Sequence, residues 1–185
     1  EQLKSESLEK VLYRNMEQLP LPQYTEEEYA LAKAIQATFD PPKNILEIAV
    51  KRCGEEYRQE LADLLAPNSG INDFLLPNYT SDAVSPWSTD VGDVTWICPT
   101  VQLACCTLAA GTTNHSWQEV AMHNTSIAHK GTMFAAQTLT GSAIDLYESK
   151  ELQEEVIAEH KKRLGGATYK CPIPADVKPR AINQL

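Results

Sequence analysis

Three short stretches of this 185-residue chain hold most of the side chains with chemical potential. One is Trp87-Ser88-Thr89-Asp90-Val91-Gly92-Asp93-Val94-Thr95-Trp96, read as a loop with two carboxylates. The next is Gly111-Thr112-Thr113-Asn114-His115-Ser116-Trp117-Gln118, a turn that presents His115 at the end of a predicted strand. A His at a strand end beside a glycine turn can reach into the crevice where ligands bind in open α/β sheets. Imidazole is a metal ligand and also an ordinary polar side chain, so both readings stand for His115. The four His fall at 115, 123, 129 and 160, and no pair has H-E-x-x-H spacing. The last stretch, Ser126 to Gly131, sets His129 and Lys130 at a predicted helix start. A helix N-terminus with a Lys can hold a carboxylate. The plainer reading, a capped helix end packed on its neighbours, carries more weight. Trp117 lines a pocket or fills the core, as large aromatics mostly do. His123 and His160 read as surface residues.

The elements that must position these residues follow from periodicity and punctuation. Leu8 to Leu19 reads as a helix stopped by Pro20-Leu21-Pro22. Thr25 and Glu28 form a capping box opening a helix to about Phe39, with Leu31, Ile35 and Phe39 as its stripe. Asp40-Pro41-Pro42 ends it. A short helix or connector covers Lys43 to Arg52, and a clearer helix covers Glu55 to Ala66. Pro67 to Pro86 is loop-like, with room for a buried strand at Phe74 to Leu76. Thr100 to Ala110, rich in small apolar and β-branched residues, is the main predicted strand. A long helix runs from Ser126 to Tyr147, capped by Thr125 or Ser126, with Ile127, Phe134, Ala135, Leu139 and Ile144 as apolar positions. Lys150 to Leu164 is a charged helix closed by Gly165-Gly166. Many helices and few strands imply an α/β fold, helices packed on a small sheet.

Composition narrows the function classes. Hydrophobic residues at 43% and charged residues at 22% describe a globular chain of one ordinary domain. A net charge of −9 argues against nucleic acid and anionic membrane as partners. No apolar run has the roughly 18 residues of a membrane helix. The polar start from Glu1 to Lys10 has no secretory pattern and reads like the middle of a longer protein. Five Cys without a C-x-x-C pair read as reduced thiols, which implies a cytoplasmic setting. The sequons at Asn78, Asn114 and Asn124 would then stay unmodified. Cys105 and Cys106 read as small core residues.

Taken together, the S-T-D-V-G-D-V and H-S-W-Q segments, the Tyr24-Thr25-Glu26-Glu27-Glu28 helix start and the Cys171-Pro172-Ile173-Pro174 tail carry a resemblance. The chain resembles the aminobenzoyl-glutamate utilization group within the family of two-metal aminoacylases and carboxypeptidases. The resemblance implies a zinc-peptidase-like α/β catalytic domain interrupted by a lid, with two divalent metals, zinc or manganese. Metal-activated water would then attack an amide carbonyl. By the family's segment order, residues 1–185 would be the C-terminal half of that catalytic domain, without the lid. Residues 1–24 would be the return from the lid and 167–185 an extended tail. His115 matches the family's last metal ligand, while the general-base Glu and the other ligands would lie upstream. No catalytic residue is therefore expected here, and this stretch alone would be inactive and hold no metal. Asp90 matches an acidic position that orients ligands or substrate, or else it caps a turn; Thr89 stands beside it. His129 and Lys130 would face the carboxylate of a small N-acyl amino acid substrate. Implied partners are the missing N-terminal half and a second copy of the chain. A non-catalytic module, or a related dipeptidase or carboxypeptidase, are the alternatives.

Overall fold

Helix α7 (Ser126–Glu148) is the longest element of the computed structural model, which describes residues 2–40, 44–79 and 89–178. The hydroxyl of Thr125 accepts the N–H of Ala128 and fixes its first turn. Ile127, Gly131, Phe134, Thr138 and Ser142 are buried, a spacing of three and four that makes one continuous inner face. Two glycines let neighbours approach that helix closely. A Cβ on Gly131 would collide with the carbonyl oxygen of Cys106, and one on Gly141 would collide with Asn15 Oδ1.

Helix α1 (Glu6–Gln18) packs through Leu8, Val11, Leu12 and Asn15 against α7 and α8 (Lys150–Leu164). Asn15 is buried and donates from Nδ2 to Val11 O (2.9 Å) and to Asp145 Oδ2 (2.7 Å). Arg14 donates to the same carboxylate oxygen at 2.8 Å. The start of α1 is closed by a side chain from α8. Glu159 accepts from the Glu6 N–H (2.8 Å), the Ser7 N–H (3.0 Å) and the Ser7 hydroxyl, and Arg163 braces it at 3.0 Å. A carboxylate at a helix N-terminus satisfies donors that have no partner within the helix.

Helix α2 (Glu26–Gln36) opens with the expected capping box: Thr25 Oγ1 accepts from Glu28 N–H, and Glu28 accepts from Thr25 N–H. Its Ala32 joins Ile71, Ala109, Met122 and Ile127 in one core. A second core, Val50, Cys53 and Leu61, lies between α3 (Ile45–Cys53) and α4 (Arg58–Leu65). Two short α-helices, α5 (Val91–Thr95) and α6 (Trp117–Met122), and a 3-10 turn at Glu55–Tyr57 complete the described set.

The expected α/β arrangement is overturned. Among the described residues there is no strand and no sheet. The predicted strands at Thr100–Ala110 and Phe74–Leu76 are irregular chain. Apolar, β-branched composition favours a strand only where another strand pairs with it. Here the neighbours of 104–110 are helical or single turns: Cys106 lies on Gly131 of α7, and Ala110 donates once to Gly70 O (2.8 Å). Residue 76 likewise meets a side chain, since Tyr13 donates its hydroxyl to Leu76 O at 3.0 Å.

Smaller differences have local causes. Helices α5 and α6, five and six residues long, are too short to display a period in sequence. Leu31, Leu139 and Ile144, expected inside, are exposed. Part of the Asp40-Pro41-Pro42 stop lies outside the described residues, as do residues 80–86 of the predicted loop, Trp87 and Ser88 of the two-carboxylate stretch, and 179–185 of the tail. The described part of that tail, 167–178, is irregular and exposed apart from the half-buried Tyr169.

These contacts generate two stability predictions. Gly131→Ala should lower the unfolding free energy by about 2 kcal/mol or more in denaturant titration, because a backbone carbonyl cannot retreat. Gly141→Ala should cost less, since it meets only a side chain. For Glu159, burial raises the carboxyl pKa, but the Ser7, Glu6 and Arg163 hydrogen bonds outweigh it and hold the group at about 2, below its ordinary 4.5. A depressed carboxyl contributes its stability above pH 4.5 and loses it as pH falls toward 2. Glu159→Gln should therefore cost roughly 3 kcal/mol at neutral pH and flatten the acid limb of stability against pH.

Candidate functional site

The turn that carries His115 is built by three devices. Gly111 adopts φ 84°, reversing the chain after Ala110. Thr112 then closes back on Ala109 O through both its N–H (3.1 Å) and its hydroxyl (2.7 Å). Beyond the turn, Ser116 caps α6 by accepting from Glu119 N–H at 3.2 Å.

His115 sits between these anchors at φ 61°, in the left-handed region that side chains other than glycine's rarely enter. Its backbone N–H donates to Glu119 Oε2, so the strained residue is tied to the first turn of α6. The imidazole is exposed. Backbone strain of this kind persists only where surrounding contacts over-determine it. Here those contacts are the Gly111 turn, the Ser116 cap and Glu119.

Lys130 has a defined set of partners. Its ammonium donates to Glu28 Oε2 (2.6 Å) and to Gln23 O (2.9 Å), and it stands 5.4 Å from the centre of the Tyr24 ring. Glu28 is buried; burial raises its carboxyl pKa, but Lys130, Ser126 and Thr25 more than compensate and lower it. The pair thus ties the start of α2 to the start of α7. His129, one residue earlier, is exposed on the first turn of α7.

Thr89 and Asp90 lie at the start of α5, both exposed. The Thr89 hydroxyl accepts from Val91 N–H at 3.3 Å, and Asp90 stands at the N-cap position without a side-chain cap bond. Trp117 is exposed rather than buried. His160 is half-buried, with Nε2 2.8 Å from Thr95 O, so it links α8 to α5. Sequence reasoning passed over two features. The Tyr29–Asp73 hydrogen bond (2.7 Å), with the Tyr29 hydroxyl pushed up to about 12 by that carboxylate, joins α2 to the 71–79 segment. The Glu119 tether of His115 was legible only as a Ser116/Glu119 capping pair.

Cys53 is buried, Cys105 and Cys106 are half-buried, and Cys98 and Cys171 are exposed. Burial pushes the Cys53, Cys105 and Cys106 thiols above their ordinary range, so they are poor nucleophiles, and the five Cys are unbridged. Among the described residues no group of three or more His, Cys, Asp or Glu converges on a point that could hold a metal ion. No described helix is long and apolar enough to cross a membrane.

Comparison with known proteins finds a relative that is one part of a hydrolase. It is a p-aminobenzoyl-glutamate hydrolase subunit of Escherichia coli (strain K12), 35% identical over 183 residues. The likeness covers 97% of this chain but 37% of that protein's length. The resemblance read from the motifs is borne out, since both point to the same aminobenzoyl-glutamate group. No family model matches the chain, and no solved structure does.

The Lys130 geometry gives a direct stability prediction. Glu28 is buried but the Lys130 side chain is 35% exposed, so removing the ammonium leaves a carboxylate partly screened by water, at roughly 1–2 kcal/mol. Lys130→Met should therefore lower the thermal midpoint clearly, as read by calorimetry. Lys130→Met with Glu28→Gln should recover part of that loss. An unchanged midpoint in Lys130→Met would free the residue for another role.

Proposed function

We propose that the chain is the part of an amidohydrolase that presents His115 as one ligand of a divalent-metal site, zinc or manganese. The observation that carries this reading is His115 itself: a solvent-facing imidazole held at a left-handed backbone position by a glycine turn and a capped helix. The relative's name supplies the reaction class, hydrolysis of p-aminobenzoyl-glutamate. A related N-acyl amino acid is the substrate class we propose for the longer protein.

The described residues by themselves do not fit a metal centre. A catalytic zinc takes about three protein ligands, and His115 is the single imidazole at this turn. Glu119, tied to the same turn, accepts the His115 N–H and lies 3.8 Å from His123 Nε2. The remaining ligands and the proton-accepting Glu would then come from polypeptide outside these 185 residues, and this chain alone would not turn over substrate. His129, Asp90 and Thr89 are exposed and free to face such a site, with roles in holding substrate or steadying a ligand. Lys130 could serve a substrate carboxylate only by giving up Glu28.

His115→Asn provides the test, because Asn tolerates the left-handed conformation while removing the imidazole. In a polypeptide extended to the relative's full length, it should leave the thermal midpoint within a few degrees. It should also lower bound metal, measured by elemental analysis, and reduce amide hydrolysis at least 100-fold. Full metal content with full activity in His115→Asn would refute the assignment.

A further inference from the structure

A groove of about 630 Å³ runs between α1, α3 and the irregular 101–106 segment. Its walls are largely apolar, with Leu12, Met16, Ile48, Leu76 and Leu103 among the lining residues. Ile48 is 55% exposed, and Ile45 beside it is 39% exposed, so apolar surface lies open to water along the α3 side. Such surface contiguous with a groove marks an interaction face.

One end of the groove has a second, independent feature. The ammonium nitrogen of Lys4 and the hydroxyl of Ser5 are both buried without a hydrogen-bond partner. The Glu6 carboxylate stands 4.0 Å from that ammonium, beyond hydrogen-bond reach. Lys4 lines this groove and also a neighbouring 300 Å³ cavity that Ser5, Thr95 and Gln102 share. A buried ammonium is costly unless an acceptor reaches it. Glu9 lines the same groove, but no hydrogen bond joins it to the Lys4 ammonium.

We propose that this groove is the docking surface for polypeptide that the hydrolase-subunit relative carries outside the region matched here, an apolar segment bringing a carboxylate to the Lys4 ammonium. Three observations favour that occupant: the apolar walls, the buried ammonium that makes no hydrogen bond, and a relative of which the chain spans 37%. The inference rests on the reading that the chain works within a longer hydrolase polypeptide, and it says where the rest attaches. A second copy of this chain is the weaker occupant, because two copies each carry a net charge of −9.

The test compares the 185-residue chain with a polypeptide extended to the relative's full length. Amide exchange across residues 101–106 should slow at least tenfold in the longer protein. Lys4→Met should leave the short chain's midpoint unchanged or higher, since it removes a buried ammonium that makes no hydrogen bond. In the longer protein the same variant should lower the midpoint by roughly 5 °C, because a carboxylate is left unpaired. Equal exchange in the two proteins, or the same sign of effect for Lys4→Met in both, would overturn the proposal. So would a dimer of the short chain, seen by light scattering and abolished by Leu103→Glu, which would assign the groove to a second copy. Groove protection in a longer protein that holds no metal would sink the hydrolase reading and leave this one standing.

Discussion

The contact between Gly131 of α7 and the carbonyl of Cys106 is the constraint on which the rest of the structure hangs. With no side chain at 131, the 104–110 segment can lie directly on the helix backbone. That position delivers Ala109 into the core with Met122 and Ile127, and it sets where the Gly111 turn begins. Everything that follows in the chain, including His115, the Ser116 cap and α6, inherits its place from this approach. Gly141 and Asn15 repeat the device further along, locking α1 to the same helix.

Charge then fastens what close packing brings together. Glu28 and Lys130 join the starts of α2 and α7, Glu159 closes the start of α1 from α8, and Asp145 gathers Arg14 and Asn15 onto α7. Each of these acids is paired across elements distant in sequence, which suits an acidic chain whose carboxylates would otherwise repel. The uneven point is the other side of α1. There Lys4 and Ser5 have buried polar atoms with no acceptor, beside the apolar groove.

Helices were legible where their signals are local. The Thr25/Glu28 capping box, the Thr125 cap and the Gly165 stop all stand where the residues indicate. Tertiary consequences were not legible. Thr100 to Ala110 has strand-like composition, yet its neighbour is a helix through Gly131, a fact no local pattern encodes. Leu139 and Ile144 obey helical spacing but face outward, because Gly131, Thr138 and Ser142 make the closer-packing face. At the candidate site, motif resemblance singled out His115, and the structure adds its left-handed backbone and its tether to Glu119. For Lys130 the sequence leaves a substrate contact and a packed helix end both open, and the Glu28 pair gives the second a physical form.

We propose that the strained turn at His115 holds its imidazole against a metal ion shared with polypeptide beyond these residues. Anomalous X-ray scattering from crystals of the full-length polypeptide, grown with zinc, tests it most directly. The account expects a metal peak about 2.1 Å from a ring nitrogen of His115, with the backbone still left-handed there. A metal centre formed entirely from other residues, with the His115 ring turned to solvent, would contradict it.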